Sequence, residues 1–85
     1  MSKGEDSNVL RTVGERLLAE RVRVGLDLEA AAKSSSIAED RLATAEGGEL
    51  ALDEDELERL ADTYGVDATA FFGGRVTPFQ YLAGA

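Results

Sequence analysis

Apolar residues recur along the chain at helical spacing in short runs, and each run ends at a turn signal. Leu10, Val13, Leu17, Val22 and Val24 follow one stripe of a first helix that opens at Val9. Asn8 can cap that helix and Gly25 can end it in a left-handed conformation. Gly14 interrupts the stripe as a weak spot or as a point of close packing. Asp27 is a good N-cap for a second helix running from Leu28 to about Lys33. Its Ala30-Ala31-Ala32 run lets a neighbour approach, and Ser34, Ser35 and Ser36 break it by competing for backbone groups. Ile37 is then an isolated apolar plug. A third helix is predicted over about Glu39–Glu46, with Leu42 and Ala45 facing inward and Gly47-Gly48 as the stop.

Leu50 and Leu52 anchor the following loop, and Asp53 with Glu56 three residues on forms an acidic capping box with Leu52 placed as a hydrophobic staple. A fourth helix presents Leu57, Leu60, Ala61 and Tyr64 on one face, and Gly65 and Val66 terminate it. Asp67 or Thr69 begins a short fifth helix carrying Phe71 and Phe72. The pattern predicts an all-α bundle of five short helices over residues 9–74. A polar, frayed leader over 1–8 precedes it, and an apolar tail over 75–85 follows.

The 85 residues make one domain near the lower limit for a self-sufficient core. With no Trp and 6% aromatics, that core is built mainly from Leu, Val and Ala and gains from burial against another copy, so self-association is expected. Phe79, Tyr81 and Leu82 in the tail therefore either cover the domain's own core or build a dimer contact. Seventeen acidic residues against nine basic give a formal charge of -8, which shifts expectation toward protein partners or weak, salt-sensitive binding to DNA.

The absence of Cys and His removes disulfides, thiol chemistry and the commonest metal ligands and general base. Asp53, Glu54, Asp55 and Glu56 lack the alternation and glycine of a calcium loop and read as an acidic helix N-terminus. Gly47-Gly48 and Gly73-Gly74 lack the spacing of a phosphate loop, and Ser34–Ser36 have no partner base. No catalytic residue, metal or cofactor is expected, and the chain does not read as an enzyme. Without a signal-peptide stretch or a long apolar run, a cytoplasmic location without membrane contact is the plain expectation.

Over residues 13–72 the order of these marks resembles the Cro/C1-type (Xre) helix-turn-helix family. Val13-Gly14-Glu15-Arg16-Leu17 matches its opening helix, Arg21 an arginine common there, and Ala32 the tightly packed alanine of the second helix. Gly25-Leu26-Asp27 stands where the family often has Gly-Leu-Ser, and Ser36-Ile37-Ala38 replaces its Gly-Val-Ser turn. Leu42, Glu46-Gly47, Leu57, Leu60-Ala61, Gly65-Val66 and Phe71-Phe72 complete the match. The resemblance implies a lambda-repressor-like fold with a helix-turn-helix at the second and third helices. It implies a dimeric DNA-binding transcriptional regulator, such as a repressor, whose third helix reads the major groove. The exposed residues of that helix would be Ala38, Glu39, Asp40, Ala43 and Thr44, with Arg16, Arg23, Lys33 and Arg41 as candidate phosphate contacts. Arg21 is expected to pair with a carboxylate such as Glu46.

The departures cluster on that surface. Leu28 stands where the family commonly places a phosphate-binding Gln, and residues 38–50 hold Glu39, Asp40, Glu46 and Glu49 against Arg41 alone. Glu20 occupies a usual core position, so the first helix is expected to pack slightly rotated or to use Ala19 instead. The alternative reading is a helix-turn-helix domain that binds no DNA and serves as a protein-interaction or regulatory module through this acidic surface.

Overall fold

The computed structural model describes the backbone of residues 2–73 together with Tyr81, and side chains from Val9 onward. The elements are α1 (Ser2–Arg23), α2 (Leu28–Ser35), α3 (Glu39–Glu46), α4 (Glu54–Tyr64) and a 3-10 turn (Ala68–Phe71). The described residues are thus all-helical, with four α-helices and one 3-10 turn where five helices were expected. The difference lies after Asp67, whose carboxylate accepts from the Thr69 N–H. Bonds from Ala70 N–H to Asp67 C=O and from Phe72 N–H to Thr69 C=O then wind the chain tightly. Phe71 and Phe72 are both buried there, and Gly73 at φ 64° stops the turn.

α1 starts at Ser2, six residues ahead of the expected Asn8 cap, and runs for 22 residues through the stretch anticipated as a leader. Helical bonds propagate one residue at a time with no apolar side chain required, so the hydrophobic pattern marked only where burial begins. Val13 and Leu17 are fully buried and Val9, Leu10 and Val24 pack at the edge of the core. Val22 is corrected: it is 64% exposed. The 3.6-residue period carries the inward line through positions 20 and 21, and Glu20 and Arg21 occupy it. Ala19 is exposed and does not stand in; Glu20, 19% exposed at its side chain, pairs instead with Arg23.

Asp27 caps α2 by accepting from the Ala30 N–H at 2.8 Å. The serines do not break α2 at Lys33. Ser35 is buried and its hydroxyl donates back to the Ala31 carbonyl at 2.8 Å, so the helix continues to Ser35. Ser36 makes the turn, at φ 59°, the one described non-glycine residue with positive φ. Its N–H and that of Ile37 close onto the Lys33 and Ala32 carbonyls, which is a left-handed helix stop. Arg59 of α4 clasps this turn, donating to the carbonyls of Ser35 at 2.7 Å and Ser36 at 3.5 Å while pairing with Asp55. α3 follows with the expected bounds, and Gly48 at φ 79° turns the chain away from it.

α1 packs on α3 and on the 3-10 turn, and α2 packs on α3 and α4. Ile37, Leu42, Leu52, Leu57, Leu60 and Phe71 fill the space between them. Burying such side chains stabilises the fold by roughly 1.5–3 kcal/mol each relative to exposure. The α4 capping box is complete: Asp53 accepts from the Glu56 N–H at 2.8 Å and Glu56 from the Asp53 N–H at 2.9 Å. Tyr64 is buried with no hydrogen-bond partner for its hydroxyl among the described residues, and burial pushes that hydroxyl's pKa up to about 12.

Tyr81 belongs to the domain's own core. It is 1% exposed, meets the Phe72 ring edge-on at a centroid distance of 5.7 Å, and its hydroxyl accepts the Leu52 N–H at 2.6 Å. Of the two roles weighed for the tail, Tyr81 takes the first and covers the core; Phe79 and Leu82 lie outside the described residues. No helix among the described residues is long and apolar enough to cross a membrane.

Two substitutions test this packing. A methyl group on Gly14 would lie 2.6 Å from the Ala45 carbonyl oxygen and 2.7 Å from that of Glu46. Gly14→Ala is expected to destabilise by about 1–3 kcal/mol, read as a lower urea midpoint at unchanged slope. Ser36→Gly relieves a left-handed serine at the cost of a more flexible unfolded chain, and the net gain expected in the same titration is about 0.5–1 kcal/mol.

Candidate nucleic-acid interface

The eight residues of α3 divide by the helical period. Leu42 and Ala45 point into the core, which leaves Asp40, Ala43 and Thr44 on the outward face and Glu39 and Arg41 on its two flanks. Ala38, Glu39, Asp40, Ala43 and Thr44 are all exposed, as the sequence pattern required. Ala38 has extended backbone at the N-cap but no side-chain oxygen, so no side chain caps α3. The Thr44 hydroxyl donates to the Asp40 carbonyl of its own helix at 2.8 Å and must rotate away before it can donate elsewhere.

Four arginines that could have supplied positive charge are engaged in ion pairs within the protein. Arg41 grips Glu56 with two bonds of 2.6 and 2.9 Å. The Glu56 carboxyl is held below the usual carboxylate range, chiefly by Arg41 and further by the Asp53 N–H, while Glu56 raises the Arg41 guanidinium in return. Arg21 grips Glu46 with bonds of 2.8 and 3.0 Å and also donates to the Leu26 carbonyl. That pair was legible from the sequence, and its closeness raises the Arg21 pKa. Arg59 is spent on the α2–α3 turn and Asp55. Arg23 pairs with Glu20 and donates to the Tyr64 carbonyl at the end of α4.

Arg16 and Arg23 are not brought to the α3 surface. They sit roughly 160–180° round α1 from Gly14, the residue that faces α3. A methyl group on Gly73, beyond the 3-10 turn, would touch the Arg16 guanidinium, so Arg16 lies on that side of the domain. Lys33 stays exposed in the last turn of α2 and makes no ion pair among the described residues. Leu28, the Gln replacement, packs at the edge of the core and offers α2 no donor at its start.

Two cations went unread in the sequence. Arg11 is exposed and its backbone abuts Gly48, which places it beside the C-terminal end of α3. The signal was present: Arg11 stands one helical turn before Gly14 and shares its side of α1. For Arg59 the local i,i+4 spacing from Asp55 was a signal for that ion pair, but its bonds to the α2–α3 turn, 23 and 24 residues away, carried none. The face therefore holds Glu39, Asp40 and Glu49 exposed, with Arg11 beside its C-terminal end. In the Asp53–Glu56 run, Asp53 and Glu56 serve the capping box and Asp55 pairs with Arg59, so three of the four carboxylates have structural work.

The Arg41–Glu56 pair has a pH signature. A folded-state pKa below the unfolded one means that Glu56 adds stability at neutral pH and loses it as pH falls through the carboxylate range. Glu56→Gln keeps a capping acceptor but removes the charge. Its deficit in urea midpoint relative to the parent is expected to be largest near pH 7, to shrink as pH falls below an ordinary glutamate's pKa of about 4.3, and to vanish only below the lowered folded-state pKa. A deficit that does not change with pH contradicts this assignment.

The α2–turn–α3 unit, with its second helix displayed at the surface, is the arrangement in which a helix is presented to a DNA groove. Comparison with known families gives a match to a helix-turn-helix domain over residues 12–71. No curated protein and no solved structure matches the chain. A domain of this kind suggests a DNA-binding regulator in general. By a match across most of its length, the chain belongs to the helix-turn-helix domain family.

Proposed function

We propose that this protein is a DNA-binding transcriptional regulator of the Cro/C1 type. It acts as a dimer in the cytoplasm, with α3 in the major groove and α2 across the backbone. The observation that carries this reading is the display of α3: its outward residues Asp40, Ala43 and Thr44 are exposed while Leu42 and Ala45 anchor it, within the matched segment. Ala43 can meet a thymine methyl, Asp40 or Glu39 can accept from cytosine N4, and Thr44 can donate to a base or phosphate once it rotates. Arg11, beside the C-terminal end of α3, and Lys33, exposed in the last turn of α2, would supply phosphate contacts.

With so few available cations, affinity is expected to be modest and to depend on few phosphate contacts. Titration of labelled palindromic and random duplexes at about 50–200 mM salt is expected to give a log–log slope of roughly -2 to -4. Arg11→Ala and Lys33→Ala should each flatten that slope by about one. Absence of binding near 50 mM salt by the dimeric protein overturns the reading.

A second reading has its own support. Glu39, Asp40 and Glu49 are exposed without an ion-pair partner among the described residues, and Arg41 is already occupied. That surface complements a cationic protein partner better than a polyanion. Under this reading the duplex titration is blank, and charge reversal of Glu39 and Asp40 abolishes partner binding.

A further inference from the structure

We propose that Glu56 sets the affinity of this domain for DNA by withholding Arg41, the cation of α3, from the phosphate backbone. This inference rests on the DNA-binding reading above. Arg41 leaves α3 on the flank facing α4, and its side chain is 39% exposed. Glu56 is 11% exposed at its side chain and is fixed from two directions. One of its oxygens accepts both the Asp53 N–H and an Arg41 N–H, while the other accepts a second Arg41 N–H. The two partners therefore differ in freedom. Glu56 cannot leave without undoing the cap of α4, whereas Arg41 has a long rotatable stem rooted beside the outward face.

A guanidinium makes the same two-pronged contact with a phosphate as with a carboxylate, so a docked backbone competes directly with Glu56. When Arg41 swings out, Glu56 does not become an uncompensated buried charge. It keeps the Asp53 N–H and sits in the first turn of α4, where the helix dipole favours an anion. The closed pair is thus the resting state, and exchange of carboxylate for phosphate is the step that commits Arg41. In a chain with 17 acidic residues against nine basic, one cation gained or withheld is a large part of the electrostatic attraction available.

The test uses a random-sequence duplex and the full chain. Glu56→Gln preserves the capping acceptor and is expected to bind about three- to tenfold tighter near 50 mM salt, with a salt slope steeper by about one. Glu58→Gln removes the same charge from the exposed opposite side of α4 and is expected to gain less, at an unchanged slope. Adding Arg41→Gln to Glu56→Gln restores the parent's net charge and should return affinity to about the parent level.

A Glu56→Gln gain no larger than that of Glu58→Gln, or a gain that survives loss of Arg41, overturns the proposal. Such results with measurable parent binding leave the DNA reading standing. If neither the parent nor any variant binds the duplex, the DNA reading falls and this proposal falls with it.

Discussion

Gly14 lets the backbone of α1 meet the carbonyl end of α3 at a distance that no side chain would tolerate, and Arg21, two turns along α1, grips Glu46 from the same side. The geometry of α3 depends on this seam. The close approach brings the two helices together, and the two-pronged ion pair fixes their register, because its directional bonds are satisfied only at one offset. With one end of α3 fixed, the Ser36 turn and its Arg59 clasp set the angle of α2 against it. The displayed helix is thus held at both ends by backbone contacts and charged hydrogen bonds, and its apolar anchor is only Leu42 and Ala45.

The domain spends its arginines unusually inwardly for a protein expected to meet a polyanion. Arg21, Arg41 and Arg59 each join elements distant in sequence, and Arg23 reaches from α1 to the end of α4. In an acidic chain a guanidinium has many carboxylates to choose from, and a half-buried one is less screened than phosphate reached through water. The consequence is that these guanidiniums, each already neutralised by its partner, leave the exposed Glu39, Asp40 and Glu49 uncompensated around α3. Binding of any polyanion must then work through the few cations left at the margin, or through opening one of these pairs.

What the sequence revealed was chemistry confined to one turn of chain. The Asp27 cap, the Asp53–Glu56 box and the bounds of α3 all follow from residues three or four positions apart. Gly14, by contrast, read equally as a weak spot or a close-packing point, and the approach of Ala45 and Glu46 decides between them. The Arg21–Glu46 pair was reachable through family likeness and the need of an inward guanidinium for an acceptor. Two features misled: α1 extends to Ser2 through residues with no apolar signal, and Ser35 stabilises the end of α2 because tertiary burial turns its hydroxyl onto its own helix. The candidate site was half legible. The exposed positions of α3 came from periodicity, whereas the fate of its cations depended on contacts 15 or more residues apart that no local pattern encodes.

Tyr81 shows how far the core extends along the chain. Its ring closes over Phe72, and its hydroxyl answers the Leu52 N–H directly ahead of the α4 cap. Tyr81 is therefore a stopper for the interior, and its loss would uncover the Phe72 ring and orphan an amide next to Asp53. A tyrosine only 1% exposed within one copy also lends almost none of its own surface to a contact with another.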